Sequence, residues 1–169
     1  MEKIYERILF CVIQSGTELK NGINTGNYSC KRLAEMINVC KKYEKLSKEH
    51  NGDYMKKDIM TNRFALGLDS MNIAPELGVF ETKLLLDGLV KIQDNKMINL
   101  FYELCHNSGK WKKWVSDDFN PEINKIKLIE ICGHYIFSNT DFQIIKTIKS
   151  SEYIIYEMNK KIIRLYSSH

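Results

Sequence analysis

Charge of one sign is nowhere concentrated in this 169-residue chain. Its 25 Lys and Arg stand against 21 Asp and Glu, for a formal net charge of +4, and the basic residues never form a block of five. The absence of a basic stripe argues against a nucleic-acid partner and for a solvated lysine surface, one that also suits a phosphorylated substrate. Long apolar runs are missing too. Nothing approaches the roughly 18 apolar residues of a membrane span. Residues 1–7 lead into only about six apolar ones, too few for the h-region of a signal peptide. The expectation is a cytoplasmic protein with no membrane partner.

The five cysteines make no C-x-x-C pair and are odd in number. Reduced, buried thiols fit that pattern better than a disulfide framework or a zinc ribbon, with Cys11 a small core residue. Walker A, G-x-G-x-x-G and G-x-S-x-G patterns do not occur, so kinase, dinucleotide and serine-hydrolase readings lack support. No internal repeat or low-complexity segment is evident. What remains is ordinary globular usage, 44% hydrophobic and 27% charged in 19.8 kDa, enough for one domain with a real core.

Three times in the first half, an apolar stretch or short return to a sheet runs into a polar cluster and then a helix. The clusters are Gln14-Ser15-Gly16-Thr17-Glu18, Glu49-His50-Asn51-Gly52-Asp53 and Asn72-Ile73-Ala74-Pro75-Glu76. Parallel strands that end in carboxylates, amides and an imidazole place those groups at the carboxyl edge of a sheet, where α/β proteins bind ligands. The pattern predicts parallel strands over 8–14, 46–50 and 71–74, adjacent and joined by right-handed crossovers. The first, Ile8-Leu9-Phe10-Cys11-Val12-Ile13, is continuously apolar, as in a strand covered on both faces.

Ser29 is placed to cap a helix with Leu33, Ala34, Met36, Ile37 and Cys40 on one face. A second helix runs through Ile59, Met60, Arg63 and Phe64 to Gly67, and a third over 76–89. Beyond Gly88 the pattern is helical, over 96–105, from Pro121 to Cys132 and over 142–148. The tail, 151–169, alternates too loosely to assign. A complete (β/α)8 barrel needs about 250 residues, so the fold class expected is α/β: about three parallel βα units of a partial TIM (β/α) barrel over 1–92, then a helical carboxyl-terminal extension over 93–169 packing on it. With a half barrel, a strand edge is left to pair, and homo-oligomers are one outcome.

Four stretches in order carry a family resemblance: Val12-Ile13-Gln14-Ser15-Gly16-Thr17-Glu18, Lys48-Glu49-His50-Asn51-Gly52-Asp53-Tyr54, Trp111-Lys112-Lys113-Trp114 and His134-Tyr135-Ile136-Phe137. They resemble the V-Q-P-G-x-E, A-H-S-T-D-Y, W-K-K-Y and R-Y-Y-W segments of the non-catalytic, chaperone-like subunit of class II tagatose-bisphosphate aldolase. The chain departs from that pattern at Ser15, at Asn51-Gly52 and at His134, which stands where Arg is usual. The resemblance covers the family's carboxyl-terminal portion. It implies a carbohydrate-metabolism protein acting on ketose bisphosphates, whose partners are a zinc-dependent catalytic aldolase subunit or a missing barrel half, and a sugar-phosphate ligand.

Within the clusters, His50 is the leading catalytic candidate and the candidate ligand for a divalent metal such as zinc. Glu18 and Asp53 suit a general base, a metal ligand or a sugar-hydroxyl acceptor, or else loop capping. Gln14, Glu49, Asn51 and Glu76 are the substrate-binding candidates, Glu76 also serving its helix dipole. The Trp111–Trp114 patch reads as packed indoles with solvated lysines. The alternatives kept open are a metal-dependent sugar-phosphate aldolase or epimerase acting through His50, Glu18 and Asp53, and a non-enzymatic interaction module. Acting alone, the chain is expected to be inactive.

Overall fold

The computed structural model describes residues 4–20, 23–147 and 151–166. Residue 148, the end of the expected 142–148 helix, and residues 167–169 of the tail lie outside them. The chain divides into two compact units, Met1–Ala74 and Pro75–His169. The helix that opens at Pro75 therefore groups with the helical second unit and not with the 1–92 segment.

In the first unit, a 3-10 turn at Ile4–Arg7 is followed by β1 (Phe10–Ile13), then by a small antiparallel hairpin of β2 (Leu19–Lys20) and β3 (Ile23–Asn24). After these come α1 (Cys30–Lys42), β4 (Leu46–Glu49), α2 (Lys57–Ala65) and β5 (Ser70–Met71). The sheet order is β1-β4-β5, with both pairings parallel and Phe10 opposite Leu46, Ile13 opposite Glu49 and Glu49 opposite Met71. The first two strands sit where the apolar-to-polar returns place them, and the third, Ser70–Met71, overlaps the expected 71–74 only at Met71. All are shorter than expected, because each chain turns away as its polar cluster begins. The β2–β3 hairpin falls in a stretch to which the sequence pattern assigns no element.

Helix α1 explains one face of that sheet. Ser29 has extended backbone, and its hydroxyl accepts a bond from the Arg32 N–H at 3.2 Å, a side-chain N-cap. Leu33, Ile37 and Cys40 then recur on the buried side and meet Ile13 and Leu68, with Cys11 packed alongside. Alternation along a strand sends Phe10 and Val12 to the other face. There the expectation of cover on both sides fails: Val12 is 63% exposed and Leu46 40% exposed. Lys48 lies over the Phe10 ring at 5.3 Å. The continuous apolar run thus marks a strand with only one covered face in this chain.

The second unit consists of α3 (Pro75–Lys91), α4 (Asn95–Ser108), a 3-10 helix at Lys110–Trp114, α5 (Lys125–Cys132), a 3-10 helix at Gly133–Ile136, α6 (Phe142–Thr147) and α7 (Ser151–Tyr166). Its core joins Leu85, Leu86 and Leu89 of α3 to Phe101, Tyr102 and Cys105 of α4, and to Leu128, Ile129 and Cys132 of α5. Helix α4 starts at Asp94, whose carboxylate accepts from the Met97 N–H, and stops at Gly109 in the left-handed conformation (φ 63°). Helix α7 fills the stretch whose pattern is too loose to assign by sequence. Among the described residues, no helix is long and apolar enough to cross a membrane. The architecture is therefore mixed α/β: a small three-stranded parallel sheet in one unit and a helical bundle in the other.

Candidate functional site

At the carboxyl ends of β1 and β4, a polar cluster is buried. Alternation turns Glu49 to the α1 side of the sheet, where its side chain is 0% exposed, and Arg63 of α2 meets it at 2% exposure. Arg63 Nη1 donates to the Ser15 hydroxyl at 2.8 Å and to Glu49 Oε2 at 3.4 Å. Ser15 in turn gives Glu49 Oε1 two bonds, from its backbone N–H at 2.8 Å and from its hydroxyl. The guanidinium carbon also sits 3.8 Å from the centroid of the Tyr28 ring, and Arg63 Nε donates to Met55 Sδ at 3.3 Å. Burial raises the Tyr28 phenol above its ordinary pKa, against the lowering pull of the Arg63 charge. A carboxylate and a guanidinium that satisfy one another in this way, with a serine between them, form a brace between β1, β4 and α2.

The remaining loop residues knit the same rim together. Gln14 accepts from the Gly16 and Thr17 N–H groups at 2.7 and 2.9 Å, so its amide oxygen serves its own turn. The Thr17 hydroxyl donates to the His50 carbonyl at 2.7 Å, and the Asn24 amide to the carbonyls of Asn51 and Asp53 at 2.7 and 3.1 Å. Gly52 is backed by Met71: a Cβ there would fall 2.3 Å from the Met71 sulfur. Asn51 adopts positive φ (60°) beside it, as asparagine tolerates better than most residues.

Of the predicted site residues, Gln14, Glu18, Glu49, His50, Asn51 and Asp53 lie in the first unit, at or just beyond the carboxyl ends of β1 and β4. His50 is exposed, and its contact with Thr17 is made through the backbone. Glu18 is exposed and joins the hairpin through its carbonyl, which accepts from the Thr25 N–H. Asp53 is buried, and its carboxylate accepts from the Ala74 N–H at 2.9 Å, so it ties the loop after β4 to that after β5. Among the described residues, no three His, Cys, Asp or Glu side chains gather in a way that could hold a metal ion. Glu76 belongs to the second unit, where Lys161 of α7 reaches its carboxylate at 2.7 Å. Asp69, below β5, is held under its ordinary pKa by the backbone N–H and hydroxyl of Ser47.

Arg63 and Ser15 are the residues that sequence reasoning passed over. The signal was present: Arg63 occupies an apolar register position of α2, next to Met60, and an arginine there requires a buried acceptor. No protein-family model, no curated protein and no solved structure matches this chain.

Proposed function

We propose that this chain is an accessory, non-catalytic component of carbohydrate metabolism, similar to the carboxyl-terminal portion of the non-catalytic subunit of class II tagatose-bisphosphate aldolase. In this reading its three βα units are part of a (β/α) barrel that a partner completes. The observation that supports it is the sheet: all-parallel sheets are ordinarily covered on both faces, yet here Val12 and Leu46 are exposed on one face, and Ile8 and Leu9 are exposed just before it. A second support is the use to which the rim acids are put. Glu49 and Asp53 hold loops together through charge and hydrogen bonds, a supporting task and not a turnover one. In this reading zinc chemistry belongs to the catalytic partner; among the described residues no ligand set gathers around His50.

The test mixes the chain with a class II catalytic aldolase subunit and follows cleavage of tagatose 1,6-bisphosphate, alongside light scattering of the eluted species. A complex with higher or longer-lived turnover, lost on Val12→Glu, is expected. No complex and no change in turnover would remove the proposal. Turnover by this chain alone that His50→Ala abolishes would instead make it an aldolase or epimerase acting through His50, Glu18 and Asp53. Binding without any effect on turnover would leave an interaction module.

A further inference from the structure

The loop after β4 contains Asn51-Gly52, a pairing in which the asparagine side chain is open to attack by the next backbone nitrogen. Glycine adds no side chain to hinder that nitrogen, and asparagine is among the thermolabile residues. The reaction needs water as its only co-reactant. Gly52 N bonds to Asn51 Cγ, the Cγ–Nδ2 bond breaks, and ammonia leaves carrying the former amide proton. Water then opens the succinimide ring at one carbonyl or the other, leaving aspartate or isoaspartate at 51.

In the folded first unit, the peptide group that must turn for this attack is tied on both sides. Its carbonyl, that of Asn51, accepts from Asn24 Nδ2 of β3 at 2.7 Å. Its N–H, that of Gly52, donates to the Asn72 carbonyl in the loop after β5 at 2.9 Å. Gly52 is buried and seated on Met71, where an added Cβ would fall 2.3 Å from the sulfur. Asn51 itself is exposed and lies at φ 60°. Water can therefore reach its side chain while the attacking nitrogen is engaged elsewhere. A reactive sequence sits in a clamp formed by the hairpin on one side and the β5 loop on the other. We propose that Asn51-Gly52 is a guarded deamidation site, closed to the reaction while the rim is folded and released when the loop after β4 opens.

The guard is modest in strength. Two hydrogen bonds of ordinary net strength slow the reaction about tenfold to a hundredfold relative to the unfolded chain. The products do not fit the clamp as asparagine does. Isoaspartate adds a main-chain carbon between Asn51 and Gly52, which shifts Gly52 off its seat on Met71. Either product puts a new carboxylate into the loop that already carries Asp53. Deamidation is thus a one-way mark left by each opening that lasts long enough to react. The site lies wholly within 1–74 and does not rest on the aldolase reading.

The experiment incubates the full chain at neutral pH, with and without guanidinium chloride, and follows the tryptic peptide 49–56 by mass spectrometry and isoaspartate detection. That peptide is distinct from 21–31, which carries Asn21-Gly22. Deamidation at Asn51 should run about tenfold to a hundredfold slower in the folded chain than in denaturant. Asn24→Ala removes one of the two bonds and should speed the folded chain's reaction about threefold to tenfold. The same change should leave the rate in denaturant as it was. Amide hydrogen exchange at Gly52 in the native chain gives a second reading that does not depend on how a variant folds, and that amide should be protected. The proposal is overturned if Asn51 reacts as fast folded as unfolded, or does not react in denaturant. It is overturned equally if Asn24→Ala keeps its fold without a faster reaction, or if the native Gly52 amide exchanges as freely as in the unfolded chain.

Discussion

Glu49 and Arg63 face each other almost without water, and each is the other's compensation for lost hydration. Removing one partner leaves a buried charge, which typically costs about 3–5 kcal/mol, more than the pair itself contributes. Arg63→Met should therefore lower the free energy of unfolding by about that amount in urea titrations. The double change Glu49→Gln with Arg63→Met should recover part of the loss. If the single change were neutral, the brace would not be structural. His134 offers a pH test. Its folded pKa is depressed below 6.5 by burial and by Lys113, so the folded state holds this proton less tightly than the unfolded chain. The stabilisation is then complete above pH 6.5 and is lost as pH falls through the depressed value. Urea midpoints measured from pH 7 downward should fall more steeply for the native chain than for His134→Gln.

Element boundaries here rest on a few residues with definable tasks. Gly16 (φ 108°) and Gly109 (φ 63°) both lie at positive φ, but their surroundings differ. A Cβ on Gly16 would fall 2.0 Å from the Asn27 carbonyl oxygen, whereas nothing lies within 4 Å of one on Gly109. Gly109→Ala should cost about 1 kcal/mol, the backbone penalty alone, and Gly109→Asn less. Gly16→Ala adds a collision with backbone and should cost several times more, since only movement of the turn that links β1 to α1 relieves it. Thermal melts should fall least for Gly109→Asn, more for Gly109→Ala and most for Gly16→Ala. Equal losses at Gly16 and Gly109 would mean that the close approach to Asn27 is not maintained.

The two units are unequally provided with core. Among the described residues, the buried cluster of the second unit contains fourteen apolar side chains and that of the first only five. Small units with little buried apolar surface are marginal on their own. A fragment covering 75–169 should keep its helical circular dichroism and unfold cooperatively. A fragment covering 1–74 should be largely unfolded unless a partner is added. The reverse result would place the stability of the protein in its sheet and would argue against a sheet that depends on a partner. In the second unit, burial and the Glu122 hydrogen bond push the Tyr102 phenol up to about 12, so this bond survives well into the alkaline range.

Read from residues alone, the chain already contains the approximate places of its three parallel strands and the Ser29 cap of α1. Each is a local property: side-chain period, capping chemistry and permitted φ are set by near neighbours in the chain. Helix α7 was not assigned because exposed apolar residues interleave with its buried ones. Ile154 is buried while Ile155, Tyr156 and Ile163 are exposed, so the periodic signal is diluted. The fate of the rim acids was not legible either. Whether Glu49 meets substrate or Arg63, and whether Asp53 meets a metal or the Ala74 N–H, depends on which loops the sheet brings side by side, over 14 and 21 residues of chain. Sequence could say that these polar groups gather at the strand ends. Only the tertiary structure could decide that they gather chiefly to satisfy one another, because burial leaves a charge no other low-energy choice.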